Sequence, residues 1–166
     1  MKTYKGRIPN RHVRDFQRTV LYEAEAQCPF LNDFNDFSIM SISEVNILIT
    51  EISKWAGIKC PMVKLSSCDF SQIEINSLLL VSGTEPIYST QSKIVLPFPV
   101  AQSRPVICHE MSHVINYQLG PADHHGPNFA KVYLEVVHEF IGEAEYQELK
   151  NQFDLLGVRY EGVILV

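Results

Sequence analysis

The sequence predicts an α+β fold with a small, mainly antiparallel sheet packed against helices. Apolar residues first recur at helical spacing, then give way to β-prone runs separated by turn residues, and return to helical spacing in the last third of the chain. The length of 166 residues and a hydrophobic content of 46% suit one domain with its own core. The expected organisation is a single domain over residues 1–166, with residues 1–13 as a flexible basic N-terminus.

In order along the chain, Phe16, Val20, Leu21 and Ala24 give a first helix its apolar stripe, and Cys28-Pro29 ends it. Asp33 to Asp36 reads as a loop. Ser41-Ile42-Ser43-Glu44 is a capping box for a second helix built on Val45, Leu48, Ile49, Ile52 and Trp55, with Gly57 as its stop. Strands are expected at Met62–Ser66, Ile73–Val81 and Lys93–Leu96, with Ser82-Gly83-Thr84-Glu85-Pro86 as a turn between them. Pro105 suits the first turn of the next helix, so Ser103 or Arg104 marks its start. Ile107, Met111, Val114 and Ile115 face the core, and Leu119-Gly120-Pro121 stops the helix, with Gly120 able to take a left-handed conformation. From Pro127 onward Phe129, Val132, Tyr133, Val136, Val137 and Phe140 recur at helical spacing.

Inside the helix that Pro105 opens lies His109-Glu110-Met111-Ser112-His113, an HExxH motif. Residues four apart on a helix lie about 40° apart around its axis, so both imidazoles reach one metal ion while the intervening Glu holds a water beside it. For a chain of this composition about 0.02 accidental matches are expected, which argues against coincidence. The motif points to zinc-dependent hydrolysis, with Zn2+ as cofactor and Glu110 as the group that moves the proton.

A catalytic zinc site needs a third protein ligand. The candidates are His124, His125, Glu135 and Glu139. A metzincin arrangement is excluded, because that pattern needs Gly at 116 and His at 119 where the chain has Asn116 and Leu119. In Asp123-His124-His125-Gly126-Pro127, Gly126 lets the backbone turn closely and Pro127 suits the first helical position, so a His stands at the start of the next helix. Asp123 can orient a ligand imidazole or serve as a loop or cap residue. His124, Tyr117 and Tyr133 are candidate donors to an oxyanion. Lys93–Leu96 is the candidate edge strand for pairing with an extended peptide.

HEMSH followed by HGPNF resembles the SprT-like zinc metallopeptidases, whose third ligand is a His in an HGxxF/W context. More widely the chain is similar to a family of small HExxH metallohydrolases described from actinobacteria and their phages. That similarity runs from Arg14-Asp15-Phe16-Gln17-Arg18 and Val20-Leu21-Tyr22-Glu23-Ala24-Glu25, through Ala101 to His113 and His125-Gly126-Pro127-Asn128-Phe129, to Gly157-Val158-Arg159-Tyr160. The resemblance implies a zincin-like active-site helix, His109, His113 and His125 as metal ligands, and Glu110 as catalytic acid/base. It favours His125 over His124. Cys28, Cys60, Cys68 and Cys108 form no CxxC pair, so the Cys-rich ribbon that SprT-like proteins often append has no counterpart here.

Residues 1–18 carry Lys2, Lys5, Arg7, Arg11, Arg14 and Arg18 against Asp15, a net +5 in a chain whose total is −5. This reads first as a solvated terminus and second as an arm for nucleic acid or an acidic partner. Glu135, Glu139, Glu143, Glu145 and Glu148 read as a wet helical face, with a Glu ligand as the less favoured alternative. No long apolar run or signal-type start is seen, so the expected location is cytoplasmic, with a protein or peptide substrate and no membrane partner. Two other functions fit the motif: a zinc amidohydrolase that is not a peptidase, and a catalytically silent zinc-stabilised binding module.

Overall fold

A computed structural model describes residues 15, 17–32, 39–67, 88–98 and 103–160. The expected strand Ile73–Val81, the loop Asp33 to Asp36, Phe16 and the basic residues before Asp15 lie outside the described residues. Among those described there are six helices and three strands: α1 (Arg18–Ala26), α2 (Pro29–Asn32), α3 (Ile42–Trp55), β1 (Met62–Ser67), β2 (Tyr88–Ser89), β3 (Lys93–Phe98), α4 (Arg104–Leu119), α5 (Pro127–Phe140) and α6 (Glu143–Leu156). The fold is α+β, as expected.

The sheet differs from expectation in its pairing. Its order is β1-β3-β2. The long pair, β1 with β3, runs parallel from Met62↔Lys93 to Ser67↔Phe98, and only the short β2 is antiparallel to β3. Turn residues after Val81 suggested hairpins, but the stronger clue was the run Ile94-Val95-Leu96. All three residues are 0% exposed, and a strand covered on both faces reads as a continuous apolar run in place of an alternation. Because β3 is central, it is not the open edge that Lys93–Leu96 was expected to form. Among the described strands the outer ones are β1 and β2.

The ends of α3 follow the sequence closely. Ser41 N donates to Glu44 Oε2 at 2.7 Å and Glu44 N donates to Ser41 Oγ at 3.3 Å, which completes the capping box. Gly57, just past its end, has φ of +65°. Trp55 sits at the rim, 43% exposed, with its ring edge-on to Phe140. Helix α4 starts as predicted, with Ser103 as N-cap and Pro105 in the first turn. Its stop is different: Gly120 is extended, with φ of −114° and ψ of −173°, because the residue before a proline is pushed out of helical conformations.

Two apolar clusters meet along α5. One joins α3, β3, α4 and α5 through residues such as Leu48, Ile52, Ile94, Met111 and Val136. The other joins α1, α5 and α6 through Leu21, Phe129, Tyr133, Leu149 and Phe153. Helix α4 is therefore covered on nearly every side, with Ile107 to Asn116 all buried. Gln17 is 2% exposed and clasps the backbone of Arg159: its Nε2 donates to Arg159 O at 2.9 Å, and Arg159 N donates to its Oε1 at 3.0 Å. That clasp fixes the start of α1 against the segment after α6, and α1 in turn lies over the face of α4 that carries the motif.

Candidate metal centre

Helical spacing places His109 and His113 one turn apart on α4, and the turn before α5 brings His125 to them. The three imidazoles are each 7% exposed, and each offers a ligand atom within 4.8 Å of the others. Ring centroids are 5.0 Å apart for His109 and His113, 4.6 Å for His113 and His125, and 5.6 Å for His109 and His125. Phe129 forms the floor, stacked on His113 at a centroid distance of 4.1 Å. The structure thus brings together the residues expected to ligate a metal, and Glu110, also 7% exposed, lies between two of them on α4.

The turn that carries His125 is built by Asp123. Its carboxylate accepts from Asn116 Nδ2 at 2.8 Å, Asn128 N at 3.0 Å, Asn128 Nδ2 at 2.9 Å and Phe129 N at 3.3 Å. Asp123 therefore caps the free N–H groups of α5 and ties them to the end of α4. It is the cap of the two roles expected for it; it does not orient an imidazole. A Cβ on Gly126 would collide with this carboxylate, which explains the glycine. His124 has φ of +56° and bonds through Nδ1 to the Tyr117 hydroxyl at 3.1 Å, apart from the three-histidine cluster. Glu135 and Glu139 are exposed on α5, with Glu135 3.9 Å from Lys131, so neither is a ligand.

The groups that orient the imidazoles come instead from α1 and from Asp15, three residues before its start. Glu25, 3% exposed, places Oε1 2.7 Å from His109 Nδ1, and Asp15 places Oδ1 2.7 Å from His125 Nδ1. A carboxylate only accepts, so each Nδ1 carries a proton and each Nε2 keeps its lone pair, which is the tautomer a metal requires. Tyr133 also bonds Glu25. These roles were not legible in the sequence, since Glu25 and Asp15 lie 84 and 110 residues from their partners. The one available signal was chemical: a metal-bound His needs a carboxylate or carbonyl behind it.

Electrostatics agree with this arrangement. Burial, then the neighbouring His109 and His125, hold His113 well below the usual histidine range. Burial and His109 lower His125 to about 4, against the pull of Asp15. For His109 burial acts downward, but Glu25 reverses it and the net shift is upward. Burial raises Glu110, with His109 and Ser89 acting in the opposite direction. Glu110 Oε2 and His113 Nδ1 are buried polar atoms without a hydrogen-bond partner. Three converging imidazoles, two of them with the proton held on Nδ1, together with these two orphaned atoms, fit a metal ion of the nitrogen-preferring, borderline-soft kind.

The fold is helix-rich α+β, and it gathers His109 and His113 of the HExxH helix with His125 of the following turn into a cluster that could hold a metal ion. Residues 72–151 match the model of the SprT-like family. The match contains β2, β3, α4 and α5, hence all three histidines and Glu110, while α1 lies outside it. No curated protein and no solved structure matches the chain. None of the described helices is long and apolar enough to cross a membrane.

Proposed function

We propose that this chain is a zinc-dependent metallopeptidase. The observation that carries the reading is the convergence of His109, His113 and His125 beside Glu110, whose Oε2 is buried and unpartnered. Zinc, when bound there, supplies a Lewis acid and lowers the pKa of water. Glu110 accepts the proton of the attacking water and passes it to the leaving nitrogen. Burial shifts its pKa upward, the direction that favours holding that proton before it is passed on.

Asp15 and Glu25 keep the imidazoles in one tautomer throughout. Phe129 beneath His113 excludes water from the apolar side of the site. Strand β2 packs on α4, and its outer edge is where an extended peptide would add as a further strand, so a protein segment is the proposed substrate.

The test is cleavage of denatured casein by the zinc-loaded protein and by Glu110→Gln. The rate is expected to fall by about 10²-fold or more, with zinc content unchanged. Equal rates would remove Glu110 from the chemistry. Absence of casein cleavage by a zinc-loaded wild type would favour a small-amide hydrolase or a silent binding module over a peptidase.

A further inference from the structure

The hydroxyl of Tyr22 lies 3.1 Å from Nε2 of His125. Asp15 takes the opposite nitrogen of that ring, so Nε2 holds the lone pair and the phenol donates to it. Nε2 is also the atom through which His125 would face a metal, so the Tyr22 hydroxyl stands beside the metal position. The ring is edge-on to His125 at 5.0 Å and lies 6.0 Å from His109. The Gln17 clasp to Arg159 fixes the helix that carries it, and Tyr22 itself stays partly exposed.

The donors expected from the sequence are engaged elsewhere. Tyr133 is 1% exposed and bonds Glu25. Tyr117 and His124 bond each other at 3.1 Å. We infer that Tyr22 is a catalytic residue whose hydroxyl donates a hydrogen bond to the substrate carbonyl oxygen as that oxygen becomes an oxyanion. This role rests on the peptidase reading above.

Tyr22 forms no covalent bond in the step, and its proton stays on the phenol. Water adds to the carbonyl carbon, negative charge gathers on the carbonyl oxygen where the phenol meets it, and the charge returns as the C–N bond breaks. A donor aimed at developing charge raises kcat with little effect on KM. Because α1 lies outside residues 72–151, this donor comes from outside the segment matched to the SprT-like family.

The experiment compares zinc-loaded wild type with Tyr22→Phe. It measures kcat and KM on casein, zinc affinity, and affinity for a phosphinic peptide in which a phosphinate replaces the casein bond that the wild type cleaves fastest. In the variant kcat is expected to fall by about 10²–10³-fold. Phosphinic peptide affinity is expected to weaken in parallel, with KM and zinc affinity little changed. Unchanged kcat and phosphinic peptide affinity would overturn the assignment, as would a loss of zinc affinity parallel to the loss of kcat, which would mean a structural role. A visible phenolate charge-transfer band in the copper(II)-loaded protein, missing from Tyr22→Phe, would make Tyr22 a metal ligand and also overturn it. A wild type that holds zinc yet cleaves no casein overturns the peptidase reading and this role together. Cleavage by the wild type and equally fast cleavage by Tyr22→Phe overturns this role alone.

Discussion

Glu25→Ala is expected to destabilise the fold by about 3–5 kcal/mol and to weaken zinc binding by about 10–100-fold. The first effect arises because Glu25 is 3% exposed and its Oε1 is the acceptor for His109 Nδ1 at 2.7 Å. Without it a buried N–H loses its partner and Tyr133 loses the group its hydroxyl bonds. The second effect arises because the imidazole of His109 can then turn or change tautomer, which takes Nε2 off the metal for part of the time. Glu25→Gln keeps a carbonyl acceptor at the same reach and should recover part of both losses. Urea denaturation of the metal-free protein and competitive zinc titration measure the two effects separately. Zinc affinity in Glu25→Ala equal to that of the wild type would mean that α1 does not tune the site.

Phe129→Ala is expected to cost about 3–5 kcal/mol, the range for deleting a buried Phe. Phe129 is 0% exposed and belongs to the cluster joining α1, α5 and α6, yet its ring also lies 4.1 Å from His113, 5.0 Å from His125 and 5.1 Å from His109. The cavity therefore opens directly beneath the imidazoles, so stability and zinc affinity should fall together. Phe129→Leu refills much of the volume and should restore stability more than affinity, since a branched aliphatic chain cannot stack on His113. A midpoint shift in thermal unfolding worth less than about 1 kcal/mol would contradict this account of the floor.

Local features were legible where a short stretch of sequence determines the outcome. The capping box at Ser41 and Glu44, the proline entries at Pro105 and Pro127, and the apolar stripe of α5 each depend on neighbours within a few residues. So does the i, i+4 placement of His109 and His113. His125 was harder: its residues alone left His124, Glu135 and Glu139 open, and the HGPNF resemblance narrowed them.

What the sequence did not show is set by long-range packing. The parallel pairing of β1 with β3 depends on how residues 68–92 return the chain, and the turn residues there suggested hairpins instead. The left-handed glycine expected after α4 gave way to the demands of Pro121. Asp15, Tyr22 and Glu25 act across more than eighty residues of chain, and only the docking of α1 on α4 and α5 reveals them.

His109, His113 and His125 are expected to hold one metal ion together. The decisive measurement is zinc titration of the metal-free protein beside the three single His→Ala variants, with helical circular dichroism recorded for each. The wild type should take up one zinc per chain, and each variant should lose that tight uptake while keeping its helical signal. A well-folded wild type that takes up no zinc, or a His125→Ala variant that binds it as tightly as the wild type, would contradict the three-histidine centre.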